Sequence, residues 1–198
     1  LVHGVSGVVA LAHRAAISSG VTARPDRCRT PNALKRNAHM TIAVGDKVPD
    51  IKVVKATDHG PEAVQTSDYF AGKKVVLFSV PGAFTPTCSA KHLPGFVAKA
   101  AEFKAHGIDE IVCTAVNDPF VMSAWGAAIG SPEVTMLADG NGDLAKALGL
   151  TMDGTGFGLG IRGQRFAAVI NDGVVEQLHV EAPGDFKVSS AEYVLEHL

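Results

Sequence analysis

Three short, almost wholly apolar runs constrain this chain more than any other feature: "VVLFSV" (75–80), "EIVCTAVN" (110–117) and "VTMLAD" (134–139). Runs of this length, rich in β-branched residues, read as strands of a buried sheet. The stretches between and after them carry helical patterns, from Pro86 to about His106, from Pro119 to Ile129, and at "DLAKALG" (143–149). Strands that alternate with helices in this way predict an α/β domain with a sheet covered by helices.

The C-terminal third adds two signals. "RFAAVINDGVVEQLHVE" (165–181) is a predicted hairpin, with Asn171-Asp172-Gly173 between two β-prone runs. "SSAEYVLEHL" opens a last helix, where Ser189 and Glu192 fit a capping box. Strand–helix–strand followed by a hairpin and a closing helix is the order of a thioredoxin-like fold, a mixed central sheet flanked by helices. "GLGIRG" (158–163) matches the glycine pattern of dinucleotide-binding loops. That pattern must open a helix whose N-terminus holds a pyrophosphate, and here the strand "RFAAVI" follows instead, so nucleotide binding is excluded by context.

Residues 40–198 contain no internal repeat or linker and are read as one domain. The first 39 residues differ. They hold Arg14, Arg24, Arg27, Arg29, Lys35 and Arg36 against one acid, Asp26, among many Ala and Ser residues. An Arg-rich, acid-poor leader of this kind resembles an organelle transit peptide, with a disordered leader as the alternative. Chloroplast is favoured over mitochondrion as the destination, and cytoplasm is expected if the leader is not a transit peptide. A formal net charge of -2 gives no reason to expect nucleic acid or an anionic membrane as partner. No apolar run of about 18 residues predicts a spanning helix.

The chemistry centres on "PGAFTPTCS" (81–89). The three cysteines, Cys28, Cys88 and Cys113, form neither a disulfide framework nor a zinc motif. If Thr85 is the N-cap and Pro86 the first helical residue, Cys88 lies in the first turn, where helix-start N–H groups and the helix dipole favour the thiolate, the nucleophilic form. Thr85 shares that helix face, so its hydroxyl can point at whatever the sulfur attacks. A buried, inert cysteine near a helix start is the plainer alternative. A disulfide oxidoreductase would want a second cysteine at position 85, where Thr85 stands instead. A redox-regulated binding or chaperone protein stays open, its thiol acting as a sensor.

"PGAFTPTCS" also closely resembles the active-site signature of the peroxiredoxins, Pro-x-x-x-Thr-x-x-Cys, here Pro81, Thr85 and Cys88. "KHLPGF" (91–96), "VNDPFVMSAW" (116–125) and "GQRFAAV" (163–169) are similar to the plant-like type II, or peroxiredoxin-five, group. The resemblance runs from about Thr41 to Leu198. It implies a thiol peroxidase that reduces hydrogen peroxide and alkyl hydroperoxides with no cofactor: no metal, haem or flavin. Cys88 would be the peroxidatic cysteine and pass through a sulfenic acid. Thr85 would orient the peroxide, Arg165 would stabilise thiolate and oxyanion charge, and Pro81 would shield the sulfur. Glutaredoxin/glutathione or thioredoxin is the implied electron donor. Cys113 matches the resolving cysteine of plant-like members, although a strand cysteine is usually packed in a core. Phe120 is a weaker proposal for the pocket wall, His92 is read as a structural residue, and Cys28 has no catalytic part. A homodimer is an open expectation.

Overall fold

The computed structural model describes residues 41–57 and 59–198. The leader reading and Cys28 therefore lie outside the described residues. In chain order the strands are β1 (Lys52–Thr57), β2 (Gly60–Gln65), β3 (Lys74–Ser79), β4 (Glu110–Ala115), β5 (Val134–Ala138), β6 (Thr151–Asp153), β7 (Ile161–Gly163), β8 (Phe166–Asn171) and β9 (Val174–Val180). The helices are α1 (Thr66–Phe70), α2 (Leu93–Ala98), α3 (Ala100–Ala105), α4 (Pro119–Ile129), α5 (Asp143–Ala147) and α6 (Ala191–Glu196), and a π-helical turn, Cys88–His92, leads into α2.

Seven strands form one sheet in the order β2-β1-β5-β4-β3-β8-β9. The central β3, β4 and β5 are parallel, and β1, β2, β8 and β9 join them antiparallel. The expected mixed sheet is thus present, with a core on each face. Val76, Phe78, Val80, Cys113 and Ala115 face a layer containing Cys88, Leu93, Phe96, Phe103, Met122, Trp125 and Val194. Val75, Leu77 and Val112 face the other way, onto Tyr69, Phe70, Leu144, Leu148 and Phe166. Strands buried on both faces have no polar side to show, which is why the sequence around β3 and β4 runs apolar without alternation.

The hairpin falls where the sequence places it. β8 and β9 are joined by Asp172 and Gly173, both at positive φ (48° and 75°), the two-residue turn that follows the right-handed twist of paired strands. The glycine pattern at 158–163 lies in a loop and in β7, and β8 follows, so no helix start faces a phosphate there. Two details differ from expectation. Ser190, not Ser189, caps α6, its side chain accepting from the Tyr193 N–H. The long helical pattern from Pro86 is interrupted by the π turn and by a break at Lys99.

At the base of the sheet, Glu110 at the start of β4 accepts from Tyr69 Oη (2.7 Å), Thr135 Oγ1 (2.6 Å) and Lys73 Nζ (3.2 Å). Burial alone would raise the pKa of this carboxyl, but the bonds from Thr135, Tyr69 and Lys73 outweigh it and hold the pKa below the ordinary value. A depressed folded-state pKa contributes stability that is present above the unfolded value and is lost as pH falls through the folded one. Glu110→Gln should therefore lower Tm at pH 7 by roughly 3–6 °C, for a loss of about 1.5 kcal/mol. In thermal melts the difference from wild type should shrink as the pH drops below about 4; a difference that does not change with pH would contradict this role.

Candidate active site

The site forms where β3 ends. Val80 N–H still pairs with the Thr114 carbonyl (3.1 Å), and the chain then leaves the sheet through Pro81–Thr85. This loop is fixed by its own bonds and by a neighbour: Ala83 N–H donates to Asn117 Oδ1 (3.0 Å), and Thr85 Oγ1 donates to the Gly82 carbonyl (2.8 Å). A side chain at Gly82 would bring a Cβ within 3.3 Å of Thr85 Cγ2, a tight contact that would press on the Thr85 side chain. Phe84 occupies a left-handed conformation (φ 61°) with its ring mostly in solvent. Such strain in a non-glycine residue persists only where the surroundings impose it.

Thr85 begins the helical stretch, its carbonyl accepting from the Ser89 N–H (3.0 Å). Cys88 therefore lies in the first turn, as the sequence predicts, although the Thr85 hydroxyl turns back to Gly82 and not to the helix N–H groups. From Cys88 the backbone widens, and the Leu93 N–H reaches the Cys88 carbonyl. The turn is tied to α4 by Trp125 Nε1, which donates to Ser89 Oγ (3.0 Å).

Cys88 has no exposed surface, and among the described residues one charged group reaches its sulfur: Arg165 Nη1, 3.5 Å from Sγ. Arg165 immediately precedes β8, which runs antiparallel to β3 with Phe166 opposite Ser79. That register carries Arg165 past the end of β3 and over the Cys88 turn. Arg165 Nη1 also lies 3.0 Å from His92 Nδ1, and His92 Nε2 lies 2.9 Å from the Ser189 carbonyl. A guanidinium has only donors, so Nδ1 must accept and Nε2–H must donate to Ser189. Burial first, and the Arg165 charge second, lower the His92 pKa from 6.5 to about 3 against the opposing Ser189 contact. The ring is neutral at physiological pH.

The structure thus brings Cys88, Thr85, Pro81 and Arg165 into one place and adds His92. Pro81 and Arg165 also wall a cleft of about 580 Å³ with Met152, Phe157, Gln164 and Pro183. Phe120 does not line it; this ring is 71% exposed on the first turn of α4, and Phe157 supplies the aromatic wall. Cys113 lies on β4 between Phe78 and Met136, without exposed surface, in the same core layer as Cys88. Burial pushes its thiol pKa well up, and the nearby Cys88 adds to the shift. The sequence offers a hint of His92 in its four-residue spacing from Cys88, and reads Ser189 only as a helix cap.

Residues 43–195 match the Redoxin family. The chain is 49% identical over 164 residues to the rice (Oryza sativa subsp. japonica) protein Peroxiredoxin-2E-2, chloroplastic, covering 80% of this chain and 73% of that one. It is also 49% identical over 161 residues to Peroxiredoxin-2B of Arabidopsis thaliana, covering 79% of this chain and 98% of the relative. The crystal structure of reduced Prx3 from Vibrio vulnificus in complex with hydrogen peroxide superimposes with a TM-score of 0.77 at 51% identity, over 79% of this chain and 99% of that one. A cysteine at a helix start under a fixed arginine, in a fold and sequence shared along the whole described domain, places the chain in the redoxin family as a type II peroxiredoxin, an enzyme that reduces peroxides at the expense of thiols.

Proposed function

We propose that Cys88 is the peroxidatic thiol and that Arg165 is the group that makes its attack on peroxide favourable. The observation that carries this reading is the 3.5 Å contact between Arg165 Nη1 and an otherwise apolar, fully buried sulfur. The thiolate attacks the terminal oxygen of ROOH, forming an S–O bond as the O–O bond breaks. Sulfur loses two electrons and the peroxide gains them; the transferred oxygen keeps its proton as Cys88 sulfenic acid, and the departing RO⁻ takes a proton from solvent. Charge moves from sulfur to the leaving oxygen, and a guanidinium held at that place stabilises it throughout. Thr85 Oγ1, its own proton committed to Gly82, has lone pairs left to accept from the peroxide O–H. Pro81 walls the mouth and limits access to the sulfenic acid. The apolar walls of the adjoining cleft suit the alkyl group of an alkyl hydroperoxide, and the cleft is large enough to admit hydrogen peroxide.

The sulfenic acid then returns to the thiol at the expense of glutaredoxin/glutathione or thioredoxin. Cys113 is the proposed resolving thiol: its place in the same core layer as Cys88 supports the pairing. Its burial on a central strand means that the Cys88 turn must open before the two sulfurs can bond. Exposed Phe84 and Phe120, on segments joined through the Ala83–Asn117 bond, support a homodimer. The relatives named chloroplastic support a chloroplast destination for the leader.

Replacing the sulfur nucleophile is the direct test. Cys88→Ser should abolish peroxide consumption, with a fall of more than about 1,000-fold, while the far-UV circular dichroism stays unchanged. Peroxide turnover near the wild-type rate in that variant would end the reading.

For Cys113, peroxide-treated protein analysed by mass spectrometry should contain a Cys88–Cys113 disulfide. Cys113→Ser should lose thioredoxin-dependent turnover more than glutathione-dependent turnover, because glutathione can attack the sulfenic acid directly. Oxidised Cys88 beside a free Cys113 would contradict the resolving role.

A further inference from the structure

Arg165 is long and has no carboxylate partner among the described residues. Held only by a sulfur at 3.5 Å, such a side chain would sample many rotamers, and ordering it would oppose the reaction. Something else must fix it. Resting on the peroxidase reading above, we propose that His92 is a positioning residue, a neutral hydrogen-bond acceptor that locks Arg165 Nη1 in the orientation in which it faces Cys88 Sγ.

The geometry carries this in three steps. Nη1 bears two hydrogens; His92 Nδ1, 3.0 Å away, takes one, and the planarity of the guanidinium then fixes where the other points, towards the sulfur. The imidazole is itself fixed. Its Nε2–H is held by the Ser189 carbonyl, and its ring packs against Phe78, Phe96 and Phe186, with centroids 4.9, 5.7 and 5.0 Å away. Phe186 also covers Arg165, whose Cζ lies 5.7 Å from the ring centroid. Ser189 is anchored in turn by the buried Glu181 carboxylate, whose Oε1 accepts from Ser189 N–H (2.8 Å), Ser189 Oγ–H (2.9 Å) and Lys187 N–H (2.6 Å). A chain of bonds therefore runs from the turn after β9, through an imidazole with no exposed surface, to the guanidinium over the sulfur.

An acceptor is needed here. A carboxylate at this position would also hold Arg165 but would offset part of its charge at the sulfur, weakening the field that favours the thiolate and the developing oxyanion. A neutral imidazole orients the guanidinium and leaves its charge for the sulfur.

The test compares His92→Phe, which keeps an aromatic ring but no acceptor, with His92→Gln, which offers an oxygen to Arg165 and an N–H to Ser189. The rate constant for oxidation by hydrogen peroxide, followed through the fluorescence of the sole tryptophan, Trp125, should fall about ten-fold or more in His92→Phe, and His92→Gln should recover most of it. In an Arg165→Ala background the His92→Phe change should then have less than about a two-fold effect, because the two residues act as one unit. Alkylation of Cys88 by iodoacetamide near neutral pH should slow in parallel. That reaction needs no peroxide, so normal alkylation differences without peroxide turnover would overturn the peroxidase reading and leave the positioning role standing. Unchanged oxidation and alkylation rates in His92→Phe, or equal losses with and without Arg165, would overturn the positioning role. Should the variants fail to fold, nitrogen NMR of the wild-type ring decides: the neutral Nε2–H tautomer from pH 5 to 8 is expected, and a protonated ring or an Nδ1–H tautomer would refute it.

Discussion

One guanidinium nitrogen organises this site. Arg165 Nη1 stands 3.5 Å from Cys88 Sγ and 3.0 Å from His92 Nδ1, and among the described residues no other charged group touches the sulfur. A charge that is fixed before the reaction need not reorganise as negative charge moves from sulfur to the departing oxygen, and in a water-poor pocket such a charge has most effect. The sheet delivers it. Because β8 pairs antiparallel with β3, the residue just before β8 arrives where β3 ends, and the π turn that begins at Cys88 follows nine residues after that end, beyond the Pro81–Thr85 loop. Strand register and catalytic geometry are the same fact here.

The nucleophile belongs to the core as much as to the site. Cys88 packs in the layer that holds Phe78, Phe96 and Trp125, and the helix carrying it is widened into a π turn where the sulfur and His92 both face inward. π turns depart from the regular helical ladder and gather at functional positions. Here the widening lets residues 88 and 92 both contact Arg165. Cys113 lies in the same layer, and its raised pKa leaves it as a protonated, unreactive thiol while the turn is closed.

How much of this is legible in the sequence depends on range. Pro81, Thr85 and Cys88 lie within eight residues, and local helix-start chemistry is enough to single them out. Arg165 is 77 positions from Cys88, and only the family resemblance, not its own surroundings in the chain, points to it. The central strands are legible because burial on both faces leaves an uninterrupted apolar signature. The β1–β2 hairpin is not, since β2, "GPEAVQ", is a mostly exposed edge with proline and little apolar pattern, and β6 and β7 are three residues each. His92 reads as a core histidine because its role depends on the π turn, and Glu181 with Ser189 because theirs depends on how the chain folds back after β9. The cap of α6 shifts by one residue, to Ser190, for the same reason: Ser189 is taken by Glu181.

The most direct measurement of the central claim is the rate constant for the reaction of reduced Arg165→Ala protein with hydrogen peroxide, by stopped flow under conditions where the variant is fully folded. If a fixed guanidinium supplies the stabilisation of the developing charge, the constant should fall by about 100-fold or more, as it does when a preorganised charge-stabilising donor is removed from an active site. A rate within about two-fold of wild type would contradict the account, because the sulfur would then owe its reactivity to the helix start and the loop alone.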